Sequence, residues 1–462
     1  MLNVLWLGLI LSSVVLAGFT GRLDALTQGA FGAARDAVVS IAIPLAGLMA
    51  MWLGFLRLAE RSGLVTLLAK TLHPVTRRLF PEVPEGHPAM GAMLLNMAAN
   101  MLGLGNAATP LGLRAMRHLE QLNPHPGTAT NAMCTFLAIN TSSIQLIPAT
   151  AVAILSAQGS QNPTAIVGTA LMATCVSTLV GVCSVRLLQN LPHFRVASSN
   201  PPSPTPPNPA FLDTESDAPL SPPRPLTRAG VCILVGFALC TLWIGLTLCA
   251  PALADSLLNP LRSALPFLSG MTLPPLPQEL AAQSGFPRML GSVSLLAVPF
   301  ILAFFTLYAA LRGLKVYEEF VTGAKEGWEV ALRIVPPLVA ILVGVKMFRE
   351  AGGIRLLTGM LAPLLDPLGV PAELVPLILV RPLSGGATTG LFTELVTQFG
   401  PDSLLARTAA TIFGSTETTF YVLAVYFGAV GIRRGRHALA AGLLADAAGA
   451  AASIAICRWM FS

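Results

Sequence analysis

The sequence predicts an all-α polytopic membrane protein: two inverted repeats with re-entrant or broken helices, and about nine spanning helices in all. Three observations carry that prediction. Apolar runs of roughly 18–25 residues recur along the chain, long enough at about 1.5 Å per residue to cross a hydrocarbon core about 30 Å thick. Only 11% of the 462 residues are charged and 54% are hydrophobic, with a mean hydropathy of +0.70, whereas soluble domains carry roughly twice that charged fraction. Finally, stretches dense in Gly, Asn, Thr and Pro interrupt the apolar pattern at matching places in the two halves. A barrel is excluded, because its strands would alternate polar and apolar residues over about ten positions.

The opening run, "MLNVLWLGLILSSVVLAGF", lacks the Lys or Arg of a leader peptide and is read as a first spanning helix near 2–19. A second span, near 37–57, runs into the basic residues Arg57, Arg61, Lys70, Arg77 and Arg78. The polar stretch 88–110 contains "NMAANMLGLGNAATPLGL" and is predicted to enter the membrane and return on the same side. Spans near 131–157 and 163–188 complete a first membrane half, 1–191. Residues 192–228 hold "SSNPPSPTPPNPAFLDTESDAPLSPPRPL", a Pro/Ser-rich composition that cannot bury a core and reads as an extended, partly disordered cytoplasmic linker. The second half, 229–462, adds an extra helix at 229–250 and a loop at 251–290. Spans follow near 291–311, 330–347, 406–430 and 437–459, with a second polar segment at 371–398.

The halves echo one another. "GAARDAVVSIAIPLAGL" (32–48) matches "GAKEGWEVALRIVPPLVAIL" (323–342), and "SGLVTLLAKTL" (62–72) matches "GGIRLLTGML" (352–361). "GLGNAATP" aligns with "SGGATTG" (384–390), and "INTSSIQLIP" (139–148) with "GSTETTFYVL" (414–423). With the basic cluster 57–78 inside the cell, the N-terminus, Arg114, Arg117, Arg186 and the linker fall inside, as do Arg312, Lys315, Lys325, Arg433, Arg434 and Arg436. Lys346, Arg349 and Arg355 fall outside, against the usual bias. Matched helices then run in opposite directions, as in many transporters.

The net charge of +6 does not indicate nucleic-acid binding, because the basic residues sit at the ends of apolar runs. Seven cysteines lie within apolar runs without a CxxC pair, as small buried hydrophobes do. The six histidines show no metal-binding spacing, and no cofactor is implied. "GLGNAA" spells a dinucleotide-binding pattern, but no βαβ unit can surround it here. Without a nucleophile elbow, a Walker lysine or an acid–base set, the chain is read as a non-enzyme. Its expected partners are the lipid bilayer and a small polar solute, and a homo-oligomer is compatible with the sequence.

The polar interruptions are the candidate site. Non-helical backbone survives at membrane depth only when buried in protein or lining a wet cavity. Gly103, Gly105 and Pro110 would break a helix in the first half, and Gly385, Gly386 and Gly390 in the second. The exposed half-helix ends attract anionic or polar groups. Side chains placed to bind solute at these breaks are Asn96, Asn100, Asn106, Thr109, Asn140, Thr141, Ser142 and Gln145, then Arg381, Ser384, Thr388, Thr389, Ser415, Thr416 and Thr418. Glu417 and Arg381 stand out, because an intramembrane charge costs roughly 2.5–3.5 kcal/mol even on lenient scales and is normally paired or functional. Glu417 is expected either to bind a coupling proton, a coupling cation or a solute group, or to form a structural ion pair with Arg381.

Longer motifs carry a family resemblance. "MAMWLGFLRLAERSGL", "NMAANMLGLGNAATPLGLRAM" and "FLAINTSSIQLIPAT" resemble spore maturation protein A. "YEEFVTGAKEGWEVALRIVP", "RPLSGGATTG" and "GSTETTFYVLAVYFGAVGIRRGRHAL" resemble spore maturation protein B. The chain thus looks like a fusion of the two. The resemblance implies a Gate-type, "nucleoside recognition" domain in each half, distantly similar to parts of concentrative nucleoside transporters and of ferrous-iron transporter B. It implies either transport of a small polar solute, with nucleosides as one class, across the cytoplasmic membrane or a non-transporting role in spore-core dehydration or the envelope. The residues favour an uncharged or zwitterionic solute: only Phe136, Phe392, Phe420 and Tyr421 could stack on a base, and no Cys, His or Met cluster suits iron.

Overall fold

The structure, a computed structural model, describes residues 2–84, 86–103, 105–194, 224–264, 280–281, 284–353, 356, 359–360 and 369–461. Most of the predicted linker (195–223) lies outside the described residues.

In the first half, α1 (Leu2–Thr20) leads to α2 (Leu23–Arg61), a long apolar helix whose residues Ala37–Ala42 form a π-helical turn. Gly63, at φ +81°, then reverses the chain into α3 (Leu64–Leu79). Next come α4 (Pro88–Met101), α5 (Gly105–Gln121), α6 (Asn131–Ser142), α7 (Ala149–Ala157) and α8 (Ile166–Leu188). The second half opens with α9 (Arg228–Cys249) and α10 (Pro251–Ala264), the latter inside the predicted loop. It continues with α11 (Gly285–Leu311), α12 (Val316–Glu350), α13 (Val375–Val380), α14 (Gly385–Phe399), α15 (Leu404–Ser415), α16 (Thr419–Ala429) and α17 (Ala438–Phe461). Among the described residues α2, α8, α9, α11 and α17 are long and apolar enough to cross a membrane unbroken.

Two predicted spans are corrected. The runs near 131–157 and 406–430 are each two helices, parted at 143–148 and at 416–418. In the first, Ser143 takes a positive φ of 20° and Pro148 cannot continue the ladder. In the second, Thr416 is fully extended at φ −144°, ψ 166°. Both polar stretches lie between apolar runs that together have the length of one span, so the run length concealed the breaks even though Pro148 marks the first by type.

Repeat mates pack antiparallel. Along α2 and α12, Arg61 meets Glu319, Gly54 meets Phe320, Ala50 meets Gly327, and Gly29 meets Glu350. Along α8 and α17, Gly181 lies on Ala445 and Ser177 on Gly449. Numbers rise on one helix as they fall on the other, which is the signature of an inverted repeat.

The charged side chains gather at two opposite ends of the helices. Arg57 and Arg61 engage Glu319, Arg186 donates to the Leu79 carbonyl, Arg312 to that of Ser62, and Arg436 to those of Ala129 and Phe194. All of these gather at one end. At the opposite end Lys346 pairs with Glu350 and Arg349 with Glu394. Local acids therefore neutralise both of these seemingly misplaced cations; Arg355 lies outside the described residues.

Candidate functional site

The two polar segments form helical hairpins. In the first, His87 caps α4, its ring accepting from the Ala89 N–H at 3.2 Å, and Pro88 occupies the position where a missing N–H costs nothing. The chain turns over Gly103 at φ +79° and returns as α5, so that His87 and His118 face each other with ring centroids 6.2 Å apart. The segment therefore enters and leaves at one end. In the second hairpin α13 stops at 381–384, and the Ser384 hydroxyl caps α14 by accepting from the Ala387 N–H.

The four interruptions meet in series, and each completes the hydrogen bonding of the next. The Leu146 N–H donates to the Met101 carbonyl at 2.9 Å, joining the first hairpin tip to the α6–α7 break. The Glu417 N–H donates to the Thr141 carbonyl at 2.6 Å, joining that break to the one between α15 and α16. The Phe420 N–H donates to the Pro382 carbonyl at 2.9 Å, reaching the second hairpin tip. From α8, the Thr174 hydroxyl lies 2.6 Å from the Ser142 carbonyl and 2.8 Å from that of Ser143, carbonyls near the end of α6. Backbone groups that would be ruinous in hydrocarbon are thus satisfied inside the protein.

Two polar clusters flank this seam. In one, Asn100 donates to Asn140 at 2.9 Å, and Asn96 donates to the Ala108 carbonyl at 2.7 Å and to the Tyr426 hydroxyl at 3.3 Å. Tyr426 in turn donates to Asn140 at 3.4 Å. Asn96 is fully buried, and its Oδ1 has no partner among the described residues. In the other, the Gln145 amide donates to Glu417 Oε1 at 2.8 Å. The buried Arg381 guanidinium donates to the Phe413 carbonyl at 2.9 Å and to Thr418 at 3.5 Å, and it lies 4.9 Å over the Phe413 ring.

The expected Arg381–Glu417 ion pair is therefore corrected: among the described residues the two act on each other through space without a direct bond. Backbone carbonyl and aromatic face take the guanidinium instead. Other predicted side chains turn to their own helices: Ser142 to Ala138, Thr388 to Ser384, Thr389 to Gly385 and Ser415 to Ile412, each onto a carbonyl. Thr141 and Thr416 are buried at the seam and Thr109 is half-buried, while the side chain of Asn106 lies outside the described residues.

Sequence reasoning missed Tyr426, Thr174 and Asp446. Asp446 is buried, with Oδ2 accepting from Thr419 at 2.5 Å, and it lies within "ALAAGLLADAAGAAASIAI". The cost of an intramembrane charge that drew attention to Glu417 applies to it equally. Tyr426 and Thr174 carry no local signal; only packing brings them in.

A cavity of about 510 Å³ opens at the basic end, lined by Glu82, His125, Asn131, Gln189 and Arg436 among others. Beneath the first hairpin tip a second cavity, of about 10 Å³, is apolar and bounded by Trp52, Leu102, Leu146 and Phe305.

Fold and site define a polytopic α-helical membrane protein of two inverted repeats, each contributing a hairpin and a broken helix to a buried polar centre. The family profile described as Gate, nucleoside recognition, matches residues 42–187 and 331–433, more than half of the chain, one segment in each repeat. The chain belongs to this family. It is 47% identical over 174 residues to spore maturation protein B of Bacillus subtilis (strain 168), covering 98% of that protein and 38% of this chain. Over 177 residues it is 42% identical to spore maturation protein A of the same organism, covering 90% of that protein and 38% of this chain. It thus combines matches to two separate proteins, as a fusion does. The solved YdaH transporter of Alcanivorax borkumensis aligns over 98% of each chain at 16% identity with a TM-score of 0.38, below the level of a shared fold.

Proposed function

We propose that this protein is a secondary transporter or permease of the cytoplasmic membrane for a small polar solute, uncharged or zwitterionic, with a nucleoside-like molecule as one candidate class. The carrying observation is the serial meeting of four helix interruptions, which concentrates half-helix ends, carboxamides and hydroxyls at one buried place. Transporter sites are built from such discontinuous helices at a repeat interface. The family description, nucleoside recognition, agrees with a solute-binding role. The cavity at the basic end serves as an inner vestibule, and that end, with the N-terminus and linker, faces the cytoplasm. No chemical step is assigned to the site.

A second reading is a membrane scaffold acting as its spore-maturation relatives do. It is favoured by the seam being closed by direct hydrogen bonds and by several hydroxyls being spent on their own helices.

Thermal unfolding of the detergent-purified protein across nucleosides, amino acids, small amides, sugars and divalent metals separates the two. A bound ligand at 100 times its Kd adds about 2.7 kcal/mol. A stabilising ligand whose effect disappears in Asn100→Ala and Glu417→Gln, both still folded, supports transport. Silence across the panel, with both variants unfolding, supports the scaffold.

A further inference from the structure

Asp446 takes no part in the hydrogen bonds that join the four breaks. It lies on α17, 8% exposed, at the height of the 416–418 break. Its Oδ2 contacts the Thr419 hydroxyl at 2.5 Å, while among the described residues its buried Oδ1 has no hydrogen bond of good geometry, the Thr416 hydroxyl being the other polar group that acts on the carboxyl. The charged groups that act on it are Arg381, from the second hairpin tip, and Glu417, from the break. Near it on α17, Gly442 and Gly449 bring Thr141 from α6, Ser177 from α8, Ser415 from α15, Thr416 from the break and Thr419 from the start of α16 against the same face, all of them uncharged.

Charge balance decides what this acid holds. One guanidinium faces two carboxylates, so the set carries a net negative charge when both are ionised, in a region where uncompensated charge is costly. An ionised carboxylate presents about four acceptor sites, and Asp446 is offered only two hydroxyls, Thr419 at 2.5 Å and a less well aligned Thr416. Glu417, by contrast, is only half-buried and accepts a hydrogen bond from the Gln145 amide.

We propose that Asp446 is a proton-binding site, holding one proton at neutral pH so that the Arg381–Glu417–Asp446 set is electrically neutral. With the proton on Oδ2, the Thr419 hydroxyl becomes the acceptor of their contact, and the poorly partnered Oδ1 carries no charge. The site stands whether or not the centre passes a solute.

Infrared spectroscopy of the full-length protein in detergent reads this directly, through the carbonyl stretch of a protonated carboxyl group and its shift in heavy water. The wild type shows that band at neutral pH, Asp446→Asn loses it and Glu417→Gln keeps it. Absence of the band in the wild type overturns the proposal, as does its survival in Asp446→Asn. If Asp446→Asn does not fold, Thr419→Val is the second variant. It shifts the band by removing the hydroxyl partner, and an unshifted band overturns the proposal. The band must also persist in sodium chloride. Its loss there, with sodium stabilising the wild type, makes this a metal-cation site instead and overturns the proton assignment.

Discussion

The backbone N–H of Glu417 donates to the carbonyl of Thr141 at 2.6 Å, so a helix interrupted in one half is completed by a helix interrupted in the other. The same two breaks are joined again by the side chains of Gln145 and Glu417. Gln145→Leu removes the donor from a partly buried carboxylate, at a cost of about 1.5–3 kcal/mol. Glu417→Gln in that background recovers part of the loss, because no charge is then stranded. A double-mutant cycle read by thermal unfolding should give a coupling of at least about 0.5 kcal/mol. A coupling of zero would show that the seam is held by the backbone alone.

The Tyr426 hydroxyl bridges Asn96 and Asn140 across elements that the chain order keeps far apart. Tyr426→Phe keeps the ring stacked on Phe136, with centroids 6.0 Å apart, and deletes only the bridge. Both carboxamides retain another partner, in the Ala108 carbonyl and Asn100. The expected destabilisation is therefore the modest value of an interhelical hydrogen bond in membranes, about 0.6 kcal/mol and at most about 1.7 kcal/mol. Chemical unfolding in mixed micelles checks it.

Gly327 of α12 lets that helix touch α2 backbone to backbone. A Cβ there would sit 2.5 Å from the Ala50 Cα and 2.7 Å from its nitrogen, and neither atom can rotate away. Gly327→Ala should part the two repeat mates, with loss of monodisperse protein on size exclusion. Gly236→Ala on α9, with nothing within 4 Å, should behave as the wild type.

Asp402, in the turn between α14 and α15, should govern acid stability at the end opposite the basic cluster. Burial acts to raise its pKa, but the Gln161 N–H at 2.9 Å, the Ser160 hydroxyl at 2.7 Å and Arg407 at 3.5 Å together hold the carboxyl below its ordinary 3.8. A depressed folded-state value contributes stability that is full above 3.8 and is lost as pH falls through the folded value. Asp402→Asn should lower the Tm at neutral pH and flatten its fall below that point. Parallel Tm–pH curves for variant and wild type would assign the acid limb to other groups.

The proposed orientation is read by single cysteines introduced into a background without native cysteines. Arg433→Cys should be protected in intact cells from a membrane-impermeant maleimide, and Lys346→Cys should be labelled. The opposite pattern inverts the molecule.

The membrane class, the inverted repeats and the re-entrant stretch at 88–110, which the structure extends to 121, are legible from the chain, while the sidedness of the basic residues is an expectation that the labelling tests. They rest on local quantities: the hydrophobicity of a window, the presence of Gly or Pro, and the charge at the end of a run. The Asn-rich segment and Arg381 were legible too, because a polar group in an apolar run is conspicuous whatever surrounds it. Asp446 met that same test and was passed over beside Glu417.

Which polar groups bond to which was decided only by the tertiary structure. Arg381 and Glu417 looked like natural partners by charge, yet Arg381 finds the Phe413 carbonyl and ring, and Glu417 finds Gln145 from the other half. The breaks at 143–148 and 416–418 likewise needed the fold, because an extended turn at membrane depth is stable only when another segment supplies its missing partners. Thr141 and Thr174 supply them across sequence separations that no local pattern encodes. Sequence sets which groups cannot face lipid, and the antiparallel packing of the repeats sets which of them satisfy one another.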